Sequence, residues 1–326
     1  MSEPLLRSAA VTGTSGFVGR HLVQYLGKAG YQVFGFSRKT PERDSQEHQP
    51  GQTIFGDLNS LDIHGVSKAC DQVDIFYHLA GRAHRPVELA DDSSFELFTN
   101  DNVKATEKAY RLALALGARR FVFLSSIKVL GDTSASPLSP GDKVNPGDIY
   151  ARSKCDAEAM LHDMQRRHKL AITVVRPPLI YGPHVGGNFE KLLRLAHGWF
   201  PLPLRGASAP RSMLSVYNLC DLLVSCVPED DIGYRVLHVR DERDVNVEQL
   251  LTSMSHFMHK PVHLFYVPDR YLRFLARSCG RSTQFARLFE PMQVDDSQTR
   301  ELFSWHPPQS FDAALKEAVD CWITQH

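Results

Sequence analysis

The sequence predicts an α/β fold, a doubly wound parallel sheet followed by a smaller C-terminal α/β region. Three observations predict it. Short apolar runs alternate with longer amphipathic ones from Ser8 to about Val175, the pattern of repeated strand-helix-strand units. Runs such as FVFL and ITVV are continuously apolar, as parallel strands buried on both faces require. After Arg176 the composition changes, and RPPLIYGPHVGGNF and WFPLPLRGASAPR are rich in Pro and Gly and read as loops.

In order, the expected strands are Ala9–Thr12, Gln32–Ser37, Thr53–Phe55, Ile75–His78, Arg120–Leu124 and Ala171–Val175. The expected helices are Gly16–Ala29, Asp57–Ala69, Ser94–Leu116 and Tyr150–Arg167. Residues 1–176 form one expected domain, and 213–240 are expected to return to it because Met213–Cys226 resumes the apolar pattern and Tyr234–Val239 reads as a strand. Residues 177–326 make the second region, with a strand and helix over Pro261–Ala286 and a last helix at Phe311–Ile323.

The chain has 37 Lys+Arg and 37 Asp+Glu, so no broad positive field attracts nucleic acid. The six cysteines form no CxxC pair and stand at no metal-ligand spacing from histidines. No run of about 18 apolar residues occurs, and the N-terminus lacks a secretion signal. These features lead us to expect a cytoplasmic protein with no metal and no integral membrane segment.

Gly13, Gly16 and Gly19 fall between the first strand and its helix. Only glycine allows that tight turn, a close backbone approach to a pyrophosphate, and a helix lying near its strand. Thr14, Ser15, Phe17 and Val18 belong to the same loop, whose N–H groups face the phosphates at the helix start. This fingerprint makes the predicted sheet Rossmann-type. A carboxylate at the end of the second strand would bond the ribose hydroxyl of NAD. This chain reads Ser37, Arg38, Lys39 there, a set that suits a 2′-phosphate. The sequence therefore favours NADP(H), with NAD as second choice.

Tyr150 and Lys154 stand four residues apart on an expected helix, one turn apart on one face. An ammonium beside a phenol favours the phenolate and makes the tyrosine a usable acid–base group. Upstream, Ser125 and Ser126 end the fifth strand, at the sheet edge where open α/β folds bind ligands.

The glycine cradle, strand-terminal serine and YxxxK helix, in this order, resemble the extended short-chain dehydrogenase/reductase family over essentially the whole chain, and within it the NAD(P)-dependent nucleotide-sugar epimerases and dehydratases. The resemblance implies an enzyme in which Ser126, Tyr150 and Lys154 are catalytic and Ser125 is structural. It implies that Asp57 and Leu58 meet the adenine, that Leu79, Ala80 and Gly81, after His78, lie against the cofactor, and that Asn102 and Pro177 support it. It also places the substrate on Asn188, Arg211 and Asp295, with His84 in a loop the substrate passes. SSIKV, RPPLIYGP and GGNF most resemble bacterial surface-polysaccharide enzymes acting on UDP-N-acetylhexosamines. The expectation is a C4 ketoreductase of a UDP-4-keto-6-deoxy-N-acetylhexosamine in O-antigen or lipopolysaccharide synthesis, with a UDP-sugar 4-epimerase as the alternative and a non-catalytic NADP-sensing scaffold as a remote one. A homodimer through Ser94–Leu116 and Tyr150–Arg167 is expected by analogy. The Arg270–Arg287 stretch is basic and amphipathic; it suits a membrane or partner surface and is expected to be a helix covering the substrate.

Overall fold

The computed structural model describes residues 7–38, 52–70, 72–83, 91–225, 233–280 and 282–326. Ser8–Thr12 (β1) leads into Phe17–Lys28 (α1), Gln32–Ser37 (β2) and Gln52–Phe55 (β3). Next come Ile63–Ala69 (α2), Ile75–His78 (β4), Asp91–Phe98 (α3), Ala105–Ala115 (α4), Arg120–Leu124 (β5), Ile149–Gln165 (α5) and Ala171–Arg176 (β6). The rest runs Leu179–Tyr181 (β7), Gly187–His197 (α6), Leu202–Arg205 (β8), Met213–Ser215 (β9), Val216–Ser225 (α7), Tyr234–His238 (β10), Val247–Phe257 (α8) and Leu264–Tyr266 (β11). It ends with Asp269–Ser278 (α9), Ser282–Phe289 (α10), Ser297–Phe303 (α11) and Phe311–Gln325 (α12). Among the described residues, no helix is long and apolar enough to cross a membrane.

The central sheet has the order β10-β6-β5-β4-β1-β2-β3, parallel at each pairing from β3 to β6. Ala9, Ala10 and Val11 on β1 and Phe121, Val122 and Phe123 on β5 are fully buried, the reason these runs are continuously apolar. Phe36, Phe76 and Phe121 stack across the sheet at 6.2 and 5.5 Å. β1 contributes only the small Ala10 to that cluster, which leaves room for the rings on either side. Strand order reverses between β1 and β4, and there the carboxyl ends of the strands open a crevice.

By compactness the chain divides into two units. The first is Met1–Val129, Pro146–Arg176 and Cys220–Leu237, and the second is Leu130–Asn145, Pro177–Leu219 and His238–His326. In the first, Arg176 at the end of β6 meets Glu158 on α5 at 2.6 Å, both side chains 6% exposed. The Ser125 hydroxyl donates to the same carboxylate. The second unit has its own core, built on Tyr181, Phe189, Leu251, Met254, Phe311 and Trp322. There the buried Asp241 accepts hydrogen bonds from the Tyr181 hydroxyl at 2.7 Å and the Asn218 amide at 2.8 Å.

Several expected elements differ. Residues 57–69 are not one helix: Asp57 and Asp62 each accept a backbone N–H two residues on, and each such cap restarts the turn. The helix expected over 94–116 is interrupted by a π-helical segment at Thr99–Lys104. RPPLIYGP and WFPLPLRG are not loops alone, because β7 pairs with β9 and β8 with β11. Two-stranded ribbons consist only of edges, so Pro203 within β8 removes no ladder bond on its free side. Residues 261–286 hold one strand and two helices, divided at Gly280, whose φ is +66°.

Candidate active site

The first unit presents the glycine loop as a cradle. Gly13 has φ +76°, and a Cβ there would lie 2.9 Å from the Ala80 nitrogen. A Cβ on Gly19 would lie 2.1 Å from the Gly13 carbonyl oxygen. Neither position admits another residue without moving backbone. Gly16 caps α1 with no side-chain bond, which leaves the amides of the first turn, including Phe17 and Val18, to a ligand. A cavity of about 180 Å³ adjoins this loop, lined by Gly13, Ser15, Gly16, Ser37, Arg38, Asp57 and Leu58, by Leu79 to Gly81, and by Asp101. Glycines that a Cβ would block, amides without a cap and a cavity at the strand switch fit a dinucleotide. Gly19→Ala should weaken dinucleotide binding by roughly 10- to 100-fold, the equivalent of 1–3 kcal/mol of overpacking. Titration of protein fluorescence checks this, and unchanged affinity would show that the loop does not hold a pyrophosphate.

At the end of β2 the Ser37 hydroxyl donates to the Ser15 hydroxyl at 2.9 Å. Arg38 is more than half exposed and pairs with Asp101 at 3.4 Å, a carboxylate that Arg82 also holds at 2.8 Å. Asp101 was not visible as a cavity residue in the sequence, because the π-helical turn that aims it inward has no spacing signature. Thr14 belongs to the loop after β1, whereas Lys39 and His84 lie outside the described residues. The Asp57 carboxylate accepts from the Asn59 amide at 2.8 Å.

Ser126, Tyr150 and Lys154 come from the end of β5 and the start of α5. Asp148 caps α5, accepting from the Ala151 amide at 2.8 Å, and fixes where the helix begins. Burial pushes the Tyr150 phenol up to about 12, while the nearby Ser126 hydroxyl works against that rise. The Lys128 ammonium, paired with Asp148, sits 5.7 Å from the Tyr150 ring centre. Lys154 is buried, and its ammonium donates to the Leu124 carbonyl at 2.9 Å. Burial lowers it to about 8, with Glu158 opposing. Burial sets the direction of the Tyr150 shift, and the Lys154 charge is not among its causes.

Asn102, buried within the π-helical turn, binds two elements at once. Its carbonyl accepts from the Arg82 amide at 2.7 Å, and its amide donates to the Arg82 carbonyl at 3.0 Å and to the Ser153 hydroxyl at 2.8 Å. Ser153 in turn donates to the Tyr150 carbonyl. Beneath it, Thr106 donates to the main-chain carbonyl of Asn102, His78 Nε2 meets Thr106, and His78 Nδ1 meets Thr12 at 2.8 Å. Because Thr106 has spent its one proton, Nε2 must be the protonated nitrogen and Nδ1 the acceptor. Burial, then the Lys154 charge, lowers His78 to about 3, in keeping with that neutral tautomer.

In the second unit, Asn188 is exposed in the first turn of α6. The Arg211 guanidinium donates to the Glu290 carbonyl at 2.6 Å and the Asp132 carbonyl at 3.3 Å. Burial lowers it to about 10, and the charge of Arg287 contributes to that fall. Arg287 pairs with the Asp132 carboxylate at 3.3 Å, so two guanidiniums gather around one acid. Sequence reading missed Arg287, since only the fold of α10 brings it to Arg211. Asp295 instead has both oxygens engaged, by the Ser139 hydroxyl at 2.9 Å and the Ser297 amide at 3.0 Å, beside a cleft of about 470 Å³ shared with Arg240, Asp244 and Arg300. Pro177 is buried just after β6.

Residues 9–231 match the model of the NAD dependent epimerase/dehydratase family. The chain is similar to UDP-glucose 4-epimerase of Vibrio cholerae, 31% identical over 327 residues that span 97% of this chain and 96% of the relative. It is also similar to N-acetyl-alpha-D-glucosaminyl-diphospho-ditrans,octacis-undecaprenol 4-epimerase of Escherichia coli O157:H7, 26% identical over 259 residues, 78% of this chain and 74% of the relative. Its fold resembles that of UDP-glucuronic acid 4-epimerase from Bacillus cereus, solved with UDP-glucuronic acid and NAD, at a TM-score of 0.79, 18% identity and coverage of 98% and 100%. From its glycine cradle to its nearly full-length relatives, the chain belongs to the NAD dependent epimerase/dehydratase family and is an enzyme.

Proposed function

We propose that the protein is a 4-epimerase of UDP-linked hexoses or N-acetylhexosamines that works with tightly held NAD. The observation that carries this reading is the placement of Tyr150 and Lys154 one turn apart at the start of α5, with Ser126 just past β5, in the unit that holds the glycine cradle. The relatives' names favour epimerisation over net reduction. So does the Asp101 carboxylate, which offsets the charge of Arg38 where a 2′-phosphate would lie.

In this reading the first unit carries the dinucleotide and the catalytic pair, and NAD, when bound, supplies the acceptor for hydride from C4. Ser126 and Tyr150 hold the C4 oxygen, and Tyr150, as its phenolate, takes the hydroxyl proton and later returns it. Lys154 holds the ribose of the dinucleotide, and Asn102 keeps the start of α5 in place. The second unit supplies Asn188, Arg211 and Arg287, whose N–H donors suit a diphosphate. Dimerisation through Ser94–Leu116 and Tyr150–Arg167, in the cytoplasm, belongs to the same proposal.

A second reading, an NADPH-dependent C4 ketoreductase of surface-polysaccharide synthesis, is favoured by the lack of a carboxylate at Ser37-Arg38. One experiment separates them. The protein is incubated with UDP-glucose or UDP-N-acetylglucosamine without added cofactor, and nucleotide released from it is identified. C4 interconversion and released NAD are expected. Consumption of NADPH with a UDP-4-keto-6-deoxy-N-acetylhexosamine, and an NADPH preference abolished by Arg38→Ala, would replace the epimerase with the reductase.

A further inference from the structure

We propose that α9, with the exposed aromatic end of β11, is a docking surface for an anionic lipid bilayer. No residue of α9 is buried. Leu272 and Ala276 are half-buried and take its inner side, whereas Tyr271, Phe274 and Leu275 are 52%, 68% and 56% exposed. Spacing of three and four residues sets those three on one stripe. Arg270 and Arg277 border it, and Arg273, itself exposed, lies 5.1 Å over the Phe285 ring and 3.4 Å from Glu290. Just upstream, Phe265 and Tyr266 on β11 are also exposed, and the strand paired with β11 is preceded by the exposed, mutually stacked Trp199 and Phe200.

A solvent-facing apolar stripe bordered by arginine is the composition of a helix that lies in a membrane interface, with aromatic rings at the headgroup level and guanidiniums reaching lipid phosphates. Charge complementarity selects the occupant. The whole chain balances its charges, yet α9 carries three arginines against Asp269 alone. Self-association through this face would set arginine against arginine, because a two-fold contact presents one patch to itself. An anionic leaflet meets the same arginines favourably, by about 1 kcal/mol each.

The test uses the full chain and sedimentation with vesicles of phosphatidylcholine, alone or mixed with phosphatidylglycerol. Partition roughly tenfold or more higher on the anionic vesicles is expected, as two arginines imply, with loss in high salt. Phe274→Glu combined with Leu275→Glu should abolish partition and leave thermal unfolding and turnover of a water-soluble UDP-sugar unchanged. Arg270→Ser with Arg277→Ser should remove the preference for anionic lipid. The idea fails if the wild-type chain ignores anionic vesicles or if the double glutamate variant still binds them. It also fails if sedimentation velocity shows a self-association that this variant alone disrupts, for the face then joins two copies. Vesicle binding is read without any enzyme assay, so the proposed epimerase activity can fail independently.

Discussion

Tyr150→Phe should lower turnover by about 10²- to 10⁴-fold, the usual worth of a positioned acid–base group, while leaving dinucleotide binding and thermal stability near wild type. The substitution removes one hydroxyl and keeps the ring, whose centre lies 6.4 Å from that of Phe98, so packing changes little. Its size follows from the loss of the phenol: a serine alone can hold the sugar oxygen but cannot receive its proton. The same side chain gives a spectroscopic check. With burial raising the phenol to about 12, the ligand-free protein should show no phenolate from residue 150 at pH 10, read as the difference between wild type and the Phe variant. In an unfolded chain the same phenol would be half ionised at about that pH. The native state therefore binds more protons than the unfolded one above pH 10, and this group's effect is to lower stability as pH rises from there towards 12. A half-formed phenolate signal at pH 10 would show that burial does not raise this phenol above its free value.

The largest loss of stability should come from separating Glu158 and Arg176. Each is almost fully buried, and the pair is bidentate, with Arg176 nitrogens 3.1 and 2.6 Å from the two carboxylate oxygens. Removing one partner leaves an uncompensated charge inside the first unit. Arg176→Met should cost about 3–5 kcal/mol, read as a shift in the urea midpoint at constant slope. Joined to Glu158→Leu it should recover at least half of that loss, since an apolar pair needs no compensation. Ser125, which donates to Glu158, sets the residual penalty. A single variant within about 1 kcal/mol of wild type would mean that water reaches the pair.

How far the fold was readable from sequence depended on whether the signal was local. The buried strands of the first unit announce themselves because both their faces are apolar, and the glycine cradle because a Cβ is forbidden at Gly13 and Gly19. The short strands of the second unit do not. β7 and β8 are three and four residues long and border on proline and glycine, so their pairing is a tertiary fact. The candidate site divides in the same way. Tyr150, Lys154 and Ser126 carry a spacing and a strand end. Asp101 depends on a π-helical turn, and Arg287 on how α10 returns to Arg211. Lys154 illustrates a further limit: its spacing from Tyr150 is visible in the sequence, but its engagement with the Leu124 carbonyl is not.

The six-residue widening at Thr99–Lys104 has a wider meaning. Through one carboxamide, Asn102 grips the chain that follows β4 and, by way of Ser153, the first turn of α5. The wall of the cavity beside the glycine loop and the backbone that carries Tyr150 are thus pinned to a single joint and cannot be adjusted one at a time. Drift at either end is transmitted to the other, so variants that retune the cavity will also retune the chemistry.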